Sequence, residues 1–397
     1  MNNAGAKTMK QLRDTVIVDA IRTPIGRRDR AFANTRPDEL ASHVLREITK
    51  RTKVDPKNVD DVMMGCNTQT AWQGANIGRL ALLGADFPYT VPGCTINRAC
   101  GSSQQAVNFA AQSISTYNAD IVIAAGVEHM SWLPIGADFG EGFAAFNPEL
   151  AKKYNFIPMP MSADRMAEKY EIPREDLDKF ALWSHQKAVA AWDAGKFANE
   201  VVPTPARQAD GSFVTVEKDE SLRPDTSLEK LAKLPPLFGG KVTAGNACPV
   251  NDGAAAVMLM SRDAAEERGL KARAVVKSQA VVGVEPVICL EGPIFATPPC
   301  LERAELTIEE LDTIEVNEAF ASVVIAAGKM LGFDPLQDPR LNIHGGSIAI
   351  GHPLGASGAR VIATLLNVME HTNGRYGLAT FCCGLGLGTA TIIEREK

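Results

Sequence analysis

Asp120–Gly126 reads DIVIAAG. An apolar run of this length, closed by Asp and Gly, suits a strand buried on both faces, as the central strands of parallel sheets are. Thr15–Ala20 (TVIVDA) is a second buried-strand candidate, and Asp38–Lys50 follows it with helical spacing. Beyond Gly253 the same alternation returns. Ala272–Val282 and Leu311–Val316 read as strands and Glu318–Leu331 as a helix, while Val361, Ile362, Leu365, Leu366 and Met369 share one helical face. Gly377–Cys383 and Thr389–Glu394 are then two strands joined by a glycine-rich turn. Strands alternating with helices specify an α/β fold, and two ends with elements of similar size suggest a pseudo-duplicated pair.

The middle of the chain breaks the pattern. Ser131–Leu150 is rich in Gly, Pro and Phe without periodicity, Asp176–Ala194 is helical, and Val201–Leu237 is loop-like and charged. Long irregular segments in compact proteins commonly carry function. The division expected is an N-terminal half over residues 1–130, completed by 250–271, an inserted binding domain over 131–249, and a C-terminal half over 272–397.

Composition narrows the function classes. The 397 residues are 45% hydrophobic and 22% charged, with a net charge of −6. Lys and Arg are scattered, so the basic stripe of a nucleic-acid surface is absent from the pattern. No apolar run approaches the roughly 20 residues that span a bilayer. Met1–Asp14 is polar and lacks the apolar centre of a secretory signal, so a cytoplasmic protein is expected. Eight cysteines are too sparse for a disulfide framework and form no pair of CxxC motifs, so no metal site is expected.

Four motifs carry chemistry. In Asn97–Ser103 (NRACGSS), Cys100 stands where a strand hands over to a helix marked by Ala106, Val107, Ala110, Ala111 and Ile114. Free N–H groups at such an end favour a thiolate; a small packing cysteine is the alternative. Gly345–Gly358 (GGSIAIGHPLGASG) presents His352 ahead of Pro353, expected at the first helical position. A histidine there is placed to take a proton from a thiol, or merely caps; His344 is a lesser candidate.

Phe381–Gly388 (FCCGLGLG) ends a buried strand, and its glycines leave N–H groups free for an oxyanion. Strand alternation sends Cys382 and Cys383 to opposite faces, so at most one is chemical. A cysteine there can act as acid or base, its pKa tuned toward neutrality. In Val316–Phe320 (VNEAF), Asn317 either orients a water or donates to a carbonyl, or it caps the next helix. All four motifs fall at strand ends or helix starts, where open α/β sheets gather ligands.

In this order and spacing the four motifs resemble the thiolase family. The resemblance runs from Val16–Pro24 (VIVDAIRTP) through Gly126–Ser131 (GVEHMS) and Asp252–Ala256 (DGAAA) to the last strand. It implies a five-layer αβαβα fold with two similar halves and an inserted loop domain that holds coenzyme A. It also implies that Cys100, helped by His352, attacks the 3-keto carbon of a 3-ketoacyl-CoA. Cys382 then protonates the departing acetyl-CoA carbanion, and incoming CoA takes the acyl group from Cys100. In the synthetic direction Cys382 removes the α-proton instead. Asn317, through a water, and His352 would serve one oxyanion hole, and the backbone N–H groups of Cys100 and Gly384 the other. CoA is a substrate here, with no cofactor besides, and Cys383 is packing.

Branch assignment rests on finer resemblance. Pro158-Met159 stands where the short-chain biosynthetic branch has His-Met, and Cys248 where that branch has serine near the pantetheine. Leu385 and Gly292–Pro298 (GPIFATP) are similar to degradative 3-ketoacyl-CoA thiolases, which points to fatty-acid β-oxidation. Met159, Phe238 and Phe320 are the candidate apolar walls. The alternatives are a short-chain acetoacetyl-CoA thiolase, a ketoacyl synthase, and a non-catalytic lipid carrier. A synthase commonly has a second histidine where this chain has Cys382, and a carrier has no need of four reactive groups. The partners implied are acyl-CoA, CoA and a second copy, as a homodimer or dimer of dimers through the edge near Thr90–Arg98. A degradative member can also join a hydratase/dehydrogenase subunit.

Overall fold

A computed structural model describes residues 12–140 and 142–396. Its strands are β1 (Thr15–Arg22), β2 (Gly26–Arg27), β3 (Asp61–Gly65), β4 (Gly93–Ile96), β5 (Ile121–His129), β6 (Thr204–Arg207), β7 (Phe213–Val216), β8 (Asn251–Ser261), β9 (Ala274–Gly283), β10 (Thr313–Val316), β11 (Tyr376–Cys383) and β12 (Leu387–Arg395). The expected central strand is β5, buried along its whole length. It runs parallel to β3 and antiparallel to β8.

One half of the sheet has the order β4-β3-β5-β8-β1, and the other β10-β11-β12-β9. They meet where Val16 and Ile17 pair with Val275 and Ala274. Leu341 forms a parallel bridge to Ile314 of β10, the place that β4 takes beside β3. Each half therefore runs from an edge strand into a turn, a buried helix and a return strand. Cys100 lies in the first such turn and His352 in the second.

Three apolar cores separate the layers. One packs the Pro37–Thr52 and Ile77–Gly84 helices on the outer face of the N-terminal sheet. Another packs the Gly292–Ala304 and Ala321–Leu331 helices on the outer face of the C-terminal sheet. Between the sheets, the third holds the Ser102–Ser115 and Ser357–Thr372 helices against residues of β1, β5, β8 and β11. This is the αβαβα order. A helix covered on all sides must satisfy its polar groups internally. Gln104 does so by donating to the Ala379 carbonyl at 2.9 Å and Thr391 Oγ1 at 3.0 Å. The two helices touch at Gly358, where a Cβ would lie 2.1 Å from the Gln104 nitrogen.

Several local expectations shift. The helix expected from Glu318 begins at Ala321, because the Glu318 carboxylate is buried and accepts from Ser184 Oγ, Asn342 Nδ2 and the Ile348 N–H. Pro353 precedes a 3-10 turn, Leu354–Ala356, and the α-helix starts only at Ser357. The stretch 201–237, read as loop, pairs β6 with β7 and adds the Leu228–Ala232 helix. Arg22 ties this region to β1 through Glu200 and Asp219, each at 2.7 Å. No helix among the described residues is long and apolar enough to cross a membrane.

Candidate active site

Cys100 sits in a turn locked from both sides. Asn97 Oδ1 accepts from the Ala99 N–H at 2.9 Å while its Nδ2 donates to the Asn67 carbonyl. Ser102 Oγ accepts from the Arg98 N–H and donates to the Ala99 carbonyl at 2.6 Å. Ala99 is held at φ 47°, left-handed for a residue with a Cβ, which such clamping makes tolerable. The Gly384 N–H favours the thiolate, but burial dominates and pushes the thiol up to about 12. The helix start therefore does not yield a resting thiolate, contrary to the expectation from position alone. Cys100 is a thiol at neutral pH and needs a base.

His352 can be that base. Its N–H donates to Asn251 Oδ1 at 3.0 Å, and its Nδ1 lies 2.6 Å from Ser357 Oγ. The Ser357 hydroxyl donates to the Pro353 carbonyl at 2.8 Å. With that proton committed, Nδ1 must be the donor and Nε2 carries the lone pair. Burial first, and the Arg360 charge second, push His352 down to about 3, so the ring is neutral. Asn317 Nδ2 stands 3.4 Å from Nε2. The asparagine caps no helix: Phe320 is the N-cap of the helix that follows.

Cys382, the penultimate residue of β11, pairs with Gly388 and faces the outer C-terminal core, whereas Cys383 faces the central core. Burial raises the Cys382 thiol well above its ordinary value, and after burial its strongest interaction is with Cys100. Tuning toward neutrality, expected from the turn, is not what the free protein shows. The two turns are also cross-tied. Glu128 accepts from the Asn67 and Gly355 N–H groups, both at 2.8 Å, and so links the loop behind Cys100 to the one behind His352. Leu354 shares a small buried apolar cluster with Cys100 and Met130.

The expected wall residues have different settings. Met159 is half-buried and its sulfur lies 3.6 Å from Cys289 Sγ. Phe320 is buried and bridges Ala247, next to Cys248, whose N–H donates to the Ala319 carbonyl at 3.0 Å. Cys248 also interacts with Cys100, and burial raises its thiol. Phe238 is exposed, in the turn closed by the Pro236–Thr243 bridge. His344 packs on Phe197 and His371. Nothing in the sequence pattern marked Cys289, which interacts with both Cys100 and Cys382 from an irregular loop at φ 48°. Ser347, Ser357 and Arg360 were also missed. The one available signal was a charged residue, Arg360, on an otherwise apolar helix start.

All eight cysteines are free thiols, and no group of three His, Cys, Asp or Glu among the described residues is arranged to hold a metal. What the site gathers is a protonated nucleophile, a neutral base with a fixed tautomer, a second thiol and convergent N–H donors. Those are the parts of covalent acyl transfer.

Comparison with known proteins agrees with that chemistry. Residues 15–263 match the family model "Thiolase, N-terminal domain", and residues 270–395 match "Thiolase, C-terminal domain". The chain is 43% identical to a 3-ketoacyl-CoA thiolase of Vibrio vulnificus, covering 97% of this chain and 100% of that protein. It is 45% identical to one from Erwinia tasmaniensis, over 96% and 99% respectively. A crystal structure of the Bacillus anthracis acetyl-CoA acetyltransferase superposes with a TM-score of 0.90 at 37% identity, over 97% of this chain and 100% of that one.

Proposed function

Since this chain belongs to the thiolase family, we propose that it cleaves 3-ketoacyl-CoA with CoA, yielding acetyl-CoA and a shortened acyl-CoA in fatty-acid β-oxidation. The observation that carries the reading is that two buried, protonated thiols, Cys100 in the turn before its helix and Cys382 in β11, interact with each other.

His352 Nε2 takes the Cys100 proton, and the thiolate attacks the 3-keto carbon. The C2–C3 bond breaks, its electron pair passing to C2 and the thioester oxygen, and the Cys382 thiol protonates C2 to give acetyl-CoA. The Cys382 thiolate then takes the thiol proton of incoming CoA. The CoA thiolate attacks the acyl carbonyl, and Cys100 leaves as thiolate and recovers its proton from His352. Asn317, through a water, and His352 stabilise one oxyanion, and the Cys100 and Gly384 N–H groups the other. The reverse sequence is Claisen condensation. CoA is a substrate, and none of these steps requires a metal or further cofactor.

Met159, Phe238, Cys248 and Phe320 are proposed contacts for acyl-CoA, carried largely by the insertion over 131–249. The two halves are assigned to 1–130 with 250–271, and to 272–397. A homodimer or dimer of dimers through the outer edge of β4, a hydratase/dehydrogenase partner and a cytoplasmic setting belong to the same proposal.

The test is loss of ketoacyl-CoA absorbance with free CoA and either acetoacetyl-CoA or 3-ketohexadecanoyl-CoA, alongside Cys100→Ala. Turnover in the wild type and none in the variant supports the mechanism, and a folded but inactive wild type overturns it. Preference for the four-carbon substrate alone would favour the short-chain reading, in line with the name of the Bacillus anthracis acetyl-CoA acetyltransferase.

A further inference from the structure

Arg360 is almost fully buried, at 1% exposure, yet makes no ion pair within 4 Å among the described residues. Its Nη2 donates to Ser347 Oγ at 2.5 Å, and its Nε and Nη1 have no described hydrogen-bond partner. Burial first, and the Arg22 charge second, disfavour its charged form, and Glu315, Glu200 and Glu318 offset them only in part. Burying a guanidinium this way is costly. The one hydrogen bond described for its side chain, to Ser347, therefore points to its role.

Ser347, itself fully buried, donates a hydrogen bond to Asn317 Oδ1 at 2.6 Å. This bond decides which way the Asn317 amide faces. Flipped, the amide would set its oxygen against the Nε2 lone pair of His352, acceptor against acceptor, and its NH₂ against a hydroxyl already bound to a cation. As found, Nδ2 faces Nε2. Hydrogen bonds in series polarise one another, and a cation at the end strengthens the chain.

We infer that Ser347 and Arg360 are positioning residues for the reaction: the guanidinium holds the Ser347 hydroxyl, which holds Asn317 with its N–H groups aimed at His352 and the oxyanion. The inference rests on the role proposed for Asn317. Neither residue touches substrate; both act through one amide. The Cys100–Gly384 donor pair lies outside the relay.

The test is a double-mutant cycle on kcat for acetoacetyl-CoA thiolysis, with Ser347→Ala, Asn317→Ala and the pair. Losing an oxyanion donor costs about 100-fold and losing its support about tenfold. If Ser347 works through Asn317, the double variant matches Asn317→Ala alone. Ser347→Ala should leave KM for CoA and the rate of Cys100 alkylation by iodoacetamide within about twofold of wild type. Ser347→Cys, nearly isosteric with a weak donor, should fall between, and it serves in the cycle should the alanine variant not fold. Multiplying losses of about 1000-fold in the double variant, or a Ser347→Ala enzyme as fast as wild type, overturns the inference. If acetoacetyl-CoA is not turned over, the same cycle is run on 3-ketohexadecanoyl-CoA, and inactivity of the folded wild type on both substrates defeats the thiolase reading itself.

Discussion

Cys382 and Cys383 are consecutive in β11, yet their side chains enter different cores. Cys382 joins the outer C-terminal core, and Cys383 joins the central one beneath the nucleophile's turn. A Cβ placed on Gly101 would lie 2.7 Å from Cys383 Sγ. In the proposed mechanism Cys382 exchanges protons with substrate, and Cys383 supports the turn. Cys382→Ala should lose at least about 1000-fold in kcat with a near-normal melting temperature. Cys383→Ala should retain turnover while losing about 1–3 kcal/mol of stability. Steady-state rates and urea midpoints on both variants check this, and the reverse assignment would show as the reverse pattern.

The central layer depends on Gly358. A Cβ there would come 2.1 Å from the Gln104 backbone nitrogen, which no side-chain rotation relieves. Gly358→Ala should destabilise by about 3 kcal/mol through overpacking. Because the displaced helix carries the Cys100 turn at its N-terminus, kcat should fall with it. Surviving wild-type stability would mean that the two helices can separate without loss.

His352 has a pH signature in stability. Burial, with help from Arg360, lowers it from 6.5 to about 3 in the folded chain. Between those values the unfolded state binds more protons, so this residue's contribution to stability is complete above about pH 6.5 and falls as pH drops toward 3. The full difference is on the order of 5 kcal/mol. His352→Gln removes this dependence. The urea-stability gap between wild type and variant should move against the wild type as pH is lowered from 7 to 4. A gap constant over that range would show that His352 is not held neutral by burial.

Arg22 joins the first strand to the inserted region with both of its ion-pair partners fully buried. Truncating it leaves Glu200 and Asp219 uncompensated, so Arg22→Ala should cost about 3–5 kcal/mol. The partners of Glu200 extend to Thr364 Oγ1 at 3.0 Å and Asn367 Nδ2 at 3.1 Å in the Ser357–Thr372 helix. Limited proteolysis should then cut first within residues 201–237. Cleavage unchanged from wild type would indicate that the insertion is held mainly by its apolar contacts.

The amino-acid pattern by itself determined a good deal. Apolar runs of strand length at both ends, with helices between, specified an α/β pair, because burial on two faces leaves a strand no polar positions. Strand alternation alone separated Cys382 from Cys383, since successive side chains must point opposite ways. Motif chemistry singled out Cys100, His352, Cys382 and Asn317 because nucleophiles, bases and glycine turns are local features. Local pattern could not decide the charge states. Position at a helix start suggested a thiolate, yet desolvation by the sheets and helices around Cys100 pushes its thiol up to about 12. Nor could it place Cys289 beside the Cys100 and Cys382 thiols, or connect Arg360 through Ser347 to Asn317, residues 13 and 30 positions apart along each step. Burial, hydrogen-bond direction and long-range charge belong to packed neighbours, and only the tertiary structure decides which neighbours meet.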